Sequence, residues 1–504
     1  MGRSGSWLAG PSVVLGLALL VAGCSLVPAY HRPDPPIPPA WATTGAAAGL
    51  HNAVPARGAW WKSFASSELA ALEDRGLTGS YNLQAAIARI EEAGGTAQVA
   101  GAPLYPSLDL GAIIDRSHGN SNGGSGNGGS GNGSSGNGSS GTQNLFAFAS
   151  YEIDFWGKNR AVANSANALA VATKFDEKTA ALTLTASIAD VYFQILSLQE
   201  RVRLAERIAD SARHILALIE IQAANGVASD LQVQQQRNQV ATFDAAVPVL
   251  RQQLDQDTHL LAVLAGGTPE GFSVSGKGLD GVLVPTVQSD LPATVLRNRP
   301  DIQAAEARLI SANFDVGAAR AAFYPNITLT GQGGLASDSL SHFSSVTAFA
   351  DIAANLTQPI FEGGRLEGQL TFDRAHTVEL AAAYRQTVIT AFQDVEDALT
   401  AVAHLQELEA LDQVAVDSAR RAYDLADAQF RFGAIDFLTV LTTERSLYQA
   451  QDALLQVHLL RLEAVVALFR ALGGGFDPAP GGSPPLSAHA ADTTAGTTKM
   501  ASER

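Results

Sequence analysis

The stretch Ala102-Pro-Leu-Tyr-Pro-Ser-Leu-Asp-Leu110 returns almost unchanged as Ala321-Ala-Phe-Tyr-Pro-Asn-Ile-Thr-Leu329. Each copy places a Tyr-Pro step between a long helical pattern and a run of alternating apolar and polar residues, which is typical of a β-strand. The copies lie 219 residues apart in a chain of 504 residues. We therefore interpret the chain as one structural unit written twice, an internal two-fold sequence repeat.

Composition argues against several classes of function. The chain carries 33 basic and 49 acidic residues without a Lys/Arg cluster, so we expect no nucleic-acid partner. A single cysteine excludes an intramolecular disulfide and a Cys-rich metal site, and the ten histidines show no paired ligand spacing. Carboxylate pairs such as Glu91-Glu92 fall on predicted helix surfaces. We predict no catalytic residue, no metal and no cofactor, and therefore no enzyme.

The amino terminus carries a targeting signal. Arg3 precedes an apolar run that is too short to span a membrane, so residues 1–23 are predicted to be a signal peptide. Leu20-Val-Ala-Gly-Cys24 is similar to the bacterial lipobox, which implies cleavage before Cys24 and a covalent lipid on it. Lipoproteins with Ser at the next position, here Ser25, usually go to the outer membrane. The alternative is an ordinary signal peptide with an incidental cysteine.

Segments rich in Pro and Gly divide the remainder of the chain. A Pro-rich arm covers 24–60, a linker covers 268–290, and a disordered tail covers 476–504. The first repeat is 61–267, with a helix from about Glu68 to Gly94, a strand pair at about 107–156 and a long helical hairpin at 159–265. The second repeat is 291–475, with a helix, a strand pair at about 326–360 and a hairpin at 365–472. Residues 119–141 are only Gly, Ser and Asn, which predicts an exposed loop.

The strands have the pattern of a transmembrane barrel: short, apolar at alternate positions and ending near Phe155-Trp156. Four strands cannot close a barrel, and an open sheet would leave unsatisfied edges in lipid. Several chains must then pool their strands, and a trimer would supply twelve. The amphipathic arms fit a water-exposed helical tube, although a soluble solenoid would explain the arms alone.

Three motifs, in order and in register with the repeat, carry a family resemblance. Tyr151-Glu-Ile-Asp-Phe-Trp-Gly-Lys-Asn-Arg160 resembles the first-half signature of the outer-membrane efflux lipoproteins of the TolC-like channel family. Leu356-Thr-Gln-Pro-Ile-Phe-Glu-Gly-Gly-Arg-Leu366 resembles its second-half counterpart. Asp436-Phe-Leu-Thr-Val-Leu441, followed by Glu444-Arg-Ser-Leu447, is similar to the return-helix motif.

The resemblance implies a mixed α and transmembrane β fold. In it, a homotrimer forms a 12-stranded β-barrel in outer-membrane lipid, continuous with a long periplasmic α-helical barrel. It implies a passive exit duct for drugs or other small toxic molecules, docked to a periplasmic adaptor and an inner-membrane transporter of RND type. A type I protein-secretion duct of the same fold and a periplasmic structural lipoprotein without a pore remain as alternatives.

The resemblance also assigns candidate sites. The hairpin ends would contact the adaptor, with Ser229 and Asp436 also able to cap the return helices; these ends are Gly226, Val227, Ala228, Ser229, Gly433, Ala434, Ile435 and Asp436. The family often has acidic gate residues where this chain has Thr439 and Thr442, so Asp424, Asp427 and Asp436 are further gate candidates, or simply solvated surface residues. The predicted membrane–periplasm junction comprises Tyr105, Pro106, Trp156, Tyr324, Pro325 and Phe361, with Trp156 and Phe361 expected at strand ends.

Overall fold

The computed structural model describes residues 25–42, 54–55, 58–118, 139–276, 278–288, 292–337 and 346–474. The predicted signal peptide, Cys24, most of the 119–141 loop and the predicted tail lie outside the described residues. The chain divides into two units. Unit 1 comprises Met1–Pro33, Ile90–Ala172 and Glu306–Ala383, and unit 2 comprises Asp34–Arg89, Thr173–Ala305 and Tyr384–Arg504.

Each half of the chain supplies helices, a strand pair and a long helical hairpin. The first half has α1 (Ser67–Gly79), α2 (Tyr81–Gly101), β1 (Ser107–His118), β2 (Ser139–Ile153), α3 (Lys158–Ala224) and α4 (Asp230–Leu264). The second half has α5 (Pro292–Asn298), α6 (Pro300–Ala321), β3 (Asn326–Ser337), β4 (Thr347–Thr357), α7 (Arg365–Arg431) and α8 (Phe437–Ala471).

The hairpin arms of the two halves have equal lengths. Helices α3 and α7 each contain 67 residues, and α4 and α8 each contain 35. One 18-residue window of α3 is apolar enough to cross a membrane by length and composition alone. Because 67% of that window is buried, α3 is better explained as a core helix.

The sheet of unit 1 is antiparallel throughout, in the order β1-β2-β3-β4. Its central pair, β2 and β3, joins the two halves of the chain, with Tyr151 opposite Leu329. Within the described residues, β1 and β4 are each paired along one edge only.

The core of unit 2 gathers aromatic side chains around a 3₁₀ turn at Trp60–Phe64. Trp60 stacks on Phe469 of α8 with ring centroids 5.1 Å apart, and Phe64 contacts Phe193 of α3 at 5.0 Å. These four rings are almost fully buried, so they hold the amino-terminal turn against both long hairpins.

The expected single helix from Glu68 to Gly94 is wrong, because the chain breaks between α1 and α2 at Ser80. The backbone at Ser80 is extended, and the end of α1 lies close to the turn after α4. A Cβ on Gly266 would lie 2.2 Å from the carbonyl oxygen of Gly79, so the turn after α4 fits against the end of α1 only as glycine. The α1 cap is Ser66, whose hydroxyl accepts the Leu69 amide at 3.1 Å.

Candidate functional site: a two-faced sheet and two hairpin ends

One face of the four-stranded sheet is apolar on every strand. Directly paired residues of antiparallel strands share a face, so the register sorts the side chains. Leu110 pairs with Ala147, Ala147 with Gly333, and Gly333 with Ala350. The members of this face on β1 and β2 are Leu108, Leu110, Ala112, Ile114, Leu145, Ala147, Ala149, Tyr151 and Ile153. Those on β3 and β4 are Ile327, Leu329, Gly331, Gly333, Leu335, Ala348, Ala350, Ile352, Ala354 and Leu356.

This apolar face is exposed, with Leu110 at 79% and Ile352 at 89% of full exposure. The opposite face is mixed: it carries Asp109, Glu152, Thr328 and Gln332 together with Phe146, Phe148 and Phe349. The strands are 12, 15, 12 and 11 residues long, and about 9–11 residues suffice to cross a bilayer. An exposed apolar face backed by a face with charged and polar residues is typical of a barrel wall between lipid and an aqueous lumen.

Trp156 marks the junction where β2 leads into α3. Its indole N–H donates to the carbonyl oxygen of Pro325 at 3.0 Å, and its ring lies 4.6 Å from that of Tyr324. The Tyr-Pro step that precedes β3 is therefore the docking surface for the residue that follows β2.

Asp154, in the motif Tyr151–Arg160, binds the start of α3 at this junction. Its carboxylate accepts the backbone amides of Asn159 and Arg160, each at 2.9 Å, and also pairs with the Arg160 guanidinium at 3.1 Å. These amides lie in the first turn of α3, where free donors and the helix dipole favour an anion. Gly157 allows the turn because its φ is +75°.

The second junction differs from the first. Phe361, expected at a strand end beside Gly363, is 88% exposed, and Tyr105 is 74% exposed. The expectation that Trp156 and Phe361 end strands is wrong, because β2 stops at Ile153 and β4 at Thr357. Both aromatic residues lie in the short connections that lead to α3 and α7, next to the turns at Gly157 and Gly363.

The hairpin ends of unit 2 are two copies of one turn. Val227 N–H donates to the Gln222 oxygen, and Ala434 N–H donates to the Gln429 oxygen, each at 2.9 Å. Gly226 and Gly433 have φ of +75° and +71°, which is the usual left-handed ending of a helix. The ends pack together through an apolar cluster of Ile219, Val233 and Phe437, with Ala228 at its margin.

Both return helices are capped as their sequences predict. The Ser229 hydroxyl accepts the Gln232 amide at 3.4 Å, while the Gln232 side chain accepts the Ser229 amide at 2.8 Å. Asp436 accepts the Thr439 amide at 3.1 Å, and hydrogen bonds from the Thr439 side chain and backbone lower the pKa of Asp436. Two apolar side chains beside the turns are exposed: Val227, which follows Gly226, at 77%, and Phe432, which precedes Gly433, at 89%.

The gate candidates have local hydrogen-bonding roles within this chain. Asp427 pairs with Arg431 at 2.9 Å, and the Thr442 hydroxyl donates to the Leu438 oxygen at 2.8 Å. Asp424 lies exposed on α7. In the described part of the chain, no group of three or more His, Cys, Asp or Glu side chains is placed to hold a metal ion.

Comparison with known proteins identifies this arrangement. The family model described as outer membrane efflux protein matches residues 74–267 and 291–474. The chain belongs to the outer membrane efflux protein family. This is a family of channels and not of enzymes.

Relatives cover nearly the whole of this efflux channel. It is 37% identical over 471 residues to the pyoverdine export outer membrane protein OpmQ of Pseudomonas aeruginosa, covering 92% of this chain and 96% of that protein. It is 30% identical over 475 residues to the solvent efflux pump outer membrane protein SrpC of Pseudomonas putida, covering 91% and 97%.

Solved structures agree with the fold of the efflux channel. The open state of the Neisseria gonorrhoeae MtrE outer membrane channel has a TM-score of 0.79 at 27% identity, covering 90% of this chain and 99% of that one. The Vibrio cholerae outer membrane protein VceC has a TM-score of 0.75 at 29% identity, covering 83% and 99%. The protein is thus an efflux duct of the outer membrane.

Sequence reasoning included Asp154 and Glu444 in motifs of the efflux family without giving either a structural role, and it gave none to Phe432. Asp154 precedes Gly157 and a helical pattern, which is a detectable capping signal. Glu444 follows Phe437 and Val440 at helical spacing, so its burial was detectable as a charge in an apolar stripe. Phe432 carried no signal beyond its place before Gly433.

Proposed function

We propose that three copies pool their sheets into a 12-stranded barrel whose wall continues into a periplasmic α-helical barrel. The observation that carries this proposal is the two-faced sheet with two singly paired edges, β1 and β4. In lipid such edges need partners, because each unsatisfied backbone group costs several kcal/mol. Joining β4 of one copy to β1 of the next supplies them without changing either strand.

Because the two halves of the chain are repeats, the β2–β3 pairing within one chain indicates how β4 of one copy would pair with β1 of the next. At the β2–β3 joint, Trp156 docks on Tyr324-Pro325 within one chain. The corresponding groups at the outer edges, Phe361 after β4 and Tyr105 before β1, are both exposed. A second copy would bring them together in the same way.

The hairpin ends are then the contact for a periplasmic adaptor and, through it, an inner-membrane transporter of RND type. Val227 and Phe432 are exposed apolar side chains beside rigid, capped turns. Because the two hairpin ends pack together, these exposed apolar side chains belong to one end of the molecule, and exposed apolar patches are typical of protein-binding sites. The nearby gate candidates, Asp424, Asp427, Asp436, Thr439 and Thr442, would line the narrow end of the duct.

The cargo is a small molecule in this proposal. Relatives are named for pyoverdine export and for solvent efflux, and both cargoes are small compared with a protein. Lipidation of Cys24 would anchor each copy at the membrane beside its barrel. A type I protein-secretion duct is the alternative of the same fold.

Two measurements test the proposal. Purified protein should conduct ions across planar bilayers, and a strain lacking the gene should become sensitive to solvents, dyes or antibiotics. A Val227→Asp/Phe432→Asp double variant should conduct in bilayers but fail to restore resistance. The control Tyr81→Asp changes a side chain that is 75% exposed and distant in sequence from the hairpin ends, and it should restore resistance. Absence of conductance, or unchanged sensitivity with loss of a secreted protein, would contradict a small-molecule duct.

A further inference from the structure

Glu444 is a buried carboxyl near the end of the second hairpin. It lies on α8 eight residues after the cap Asp436, about 12 Å along the helix axis. Its residue exposure is 1%, and it shares a helical face with the buried Val440 and Leu447. Spacing of this kind places a side chain in the packed seam of a helix bundle, where charges are rarely found.

The seam is apolar on both sides of Glu444. Toward the hairpin ends lies the cluster of Ile219, Val233 and Phe437, against which Leu441 packs. In the other direction lies a cluster containing Ile208 and Phe243, against which Tyr448 packs. Both clusters join the α3–α4 hairpin to the α7–α8 hairpin, so Glu444 interrupts the contact between the two hairpins.

The groups facing Glu444 do not neutralise it. From α3 comes Ser211, whose hydroxyl lies 3.4 Å from that of Tyr423 on α7. From α7 come Tyr423 and Asp427, the latter paired with Arg431. Ser211 approaches Glu444, but neither carboxylate oxygen has a hydrogen-bond partner of good geometry, and none of the ion pairs in the described residues includes it.

These surroundings favour the protonated acid. Burial, reinforced by the charge of Asp427, raises the pKa of Glu444 to about 7, and the approach of Ser211 offsets this in part. An acid whose pKa is raised by packing stabilises that packing fully only below its ordinary pKa, here 4.5, and the stabilisation falls as the pH rises toward the shifted value. It is therefore lost by the time the pH passes neutrality.

We propose that Glu444 is a proton-binding site that latches the two hairpins together near their ends. With its proton, the carboxyl stays in the seam; when ionised, it draws in water or a cation and separates α8 from α3 and α7. This inference rests on the proposed function, in which the hairpin ends narrow the duct. Loss of the proton should then widen the duct, so the channel opens as the pH rises.

Conductance in planar bilayers tests the latch with full-length protein. The wild type should conduct weakly at pH 5.5 and several-fold more at pH 8. Glu444→Gln keeps the shape of the side chain without a titrating proton, so its conductance should stay low at every pH. If the Gln amide packs poorly in the seam, Glu444→Leu should show the same constant low conductance. Asp427→Asn removes the repulsion that opposes ionised Glu444 in the seam, so this variant should open less at pH 8 than the wild type. The control Glu73→Gln removes another buried carboxyl and should follow the wild type.

Hydrogen exchange separates failure of the latch from failure of the duct. Segments 215–235 and 425–447 should exchange faster in the wild type than in Glu444→Gln at pH 8, and equally at pH 5.5. If this difference appears without conductance at any pH, the duct fails and the latch stands. Conductance with the same pH dependence in wild type and Glu444→Gln, or equal exchange at pH 8, overturns the latch.

Discussion

Trp156 donates its indole N–H to the carbonyl oxygen of Pro325 at 3.0 Å. The bond links the residue that leaves β2 to the step that enters β3, and these strands come from different halves of the chain. A one-residue slip would turn the apolar side chains of a strand to the face that carries Asp109, Glu152 and Gln332, so register matters in this sheet. The Trp156–Pro325 bond stabilises the observed β2–β3 register.

Two substitutions of Trp156 should separate the contribution of its ring contact with Tyr324 to stability from that of its hydrogen bond to Pro325. Trp156→Phe keeps an aromatic ring against Tyr324 but leaves the Pro325 oxygen without its donor, so we expect a loss of about 1 kcal/mol. Trp156→Ala removes both and should cost about 3 kcal/mol. Guanidinium unfolding in detergent measures each value. Equal losses for the two variants would show that the ring contributes nothing.

Phe361 of one copy should contact Tyr105 of a neighbouring copy, so substitutions of the two residues should be energetically coupled only in the oligomer. In the proposed trimer, Phe361→Ala and Tyr105→Ala each lower the temperature at which the oligomer dissociates in detergent. The double variant should be less damaged than the sum of the two, because both changes remove one contact. Ile360→Ala is the control, since Ile360 is also 88% exposed. Strictly additive effects would rule out the contact.

Much of the fold follows from short-range patterns. The alternation around Leu108 and Leu329 reflects the two-residue pleat, so the strands were predictable without knowing their partners. The turns at Gly226 and Gly433 were predictable for the same reason, because a left-handed residue after a helix is a local requirement. Ser229 and Asp436 act as caps through residues only three positions away.

What escaped prediction depends on residues far apart in the chain. The close approach of Gly266 to Gly79 joins turns 187 residues apart, which no local pattern encodes. The dock of Trp156 on Pro325 spans 169 residues. For Glu444, spacing along α8 indicates burial, but its neighbours Ser211 and Asp427 lie on other helices.

Asp436 should anchor the start of α8 in a pH-dependent way. Hydrogen bonds from Thr439 lower the pKa of this fully exposed carboxyl, so its stabilising effect is present above the ordinary pKa and fades as the pH falls through the lowered one. Hydrogen exchange over 437–441 should therefore accelerate in acid in the wild type. Asp436→Asn, which caps without a charge, should show no such acid step, and Asp436→Ala should exchange fast at every pH. If exchange still accelerates in acid in Asp436→Asn, the acceleration comes from another titrating group.

Glu73 on α1 should make the protein less stable as the pH rises. It is 0% exposed, neither carboxylate oxygen has a partner, and burial, with Asp74 and Asp190 adding to it, raises the pKa of Glu73 to about 9.

The folded state then keeps a proton that the unfolded chain releases above its ordinary pKa of 4.5, so the free energy of unfolding falls by about 1.4 kcal/mol per pH unit up to pH 9. Burial raises the pKa of Asp190 to about 7, so this carboxyl is mostly ionised between pH 8 and 9 and the slope there comes mainly from Glu73. Glu73→Gln should flatten that slope in guanidinium unfolding, whereas the exposed control Glu92→Gln should retain it. A slope equal to the wild type in Glu73→Gln would mean that Glu73 is ionised in the folded protein.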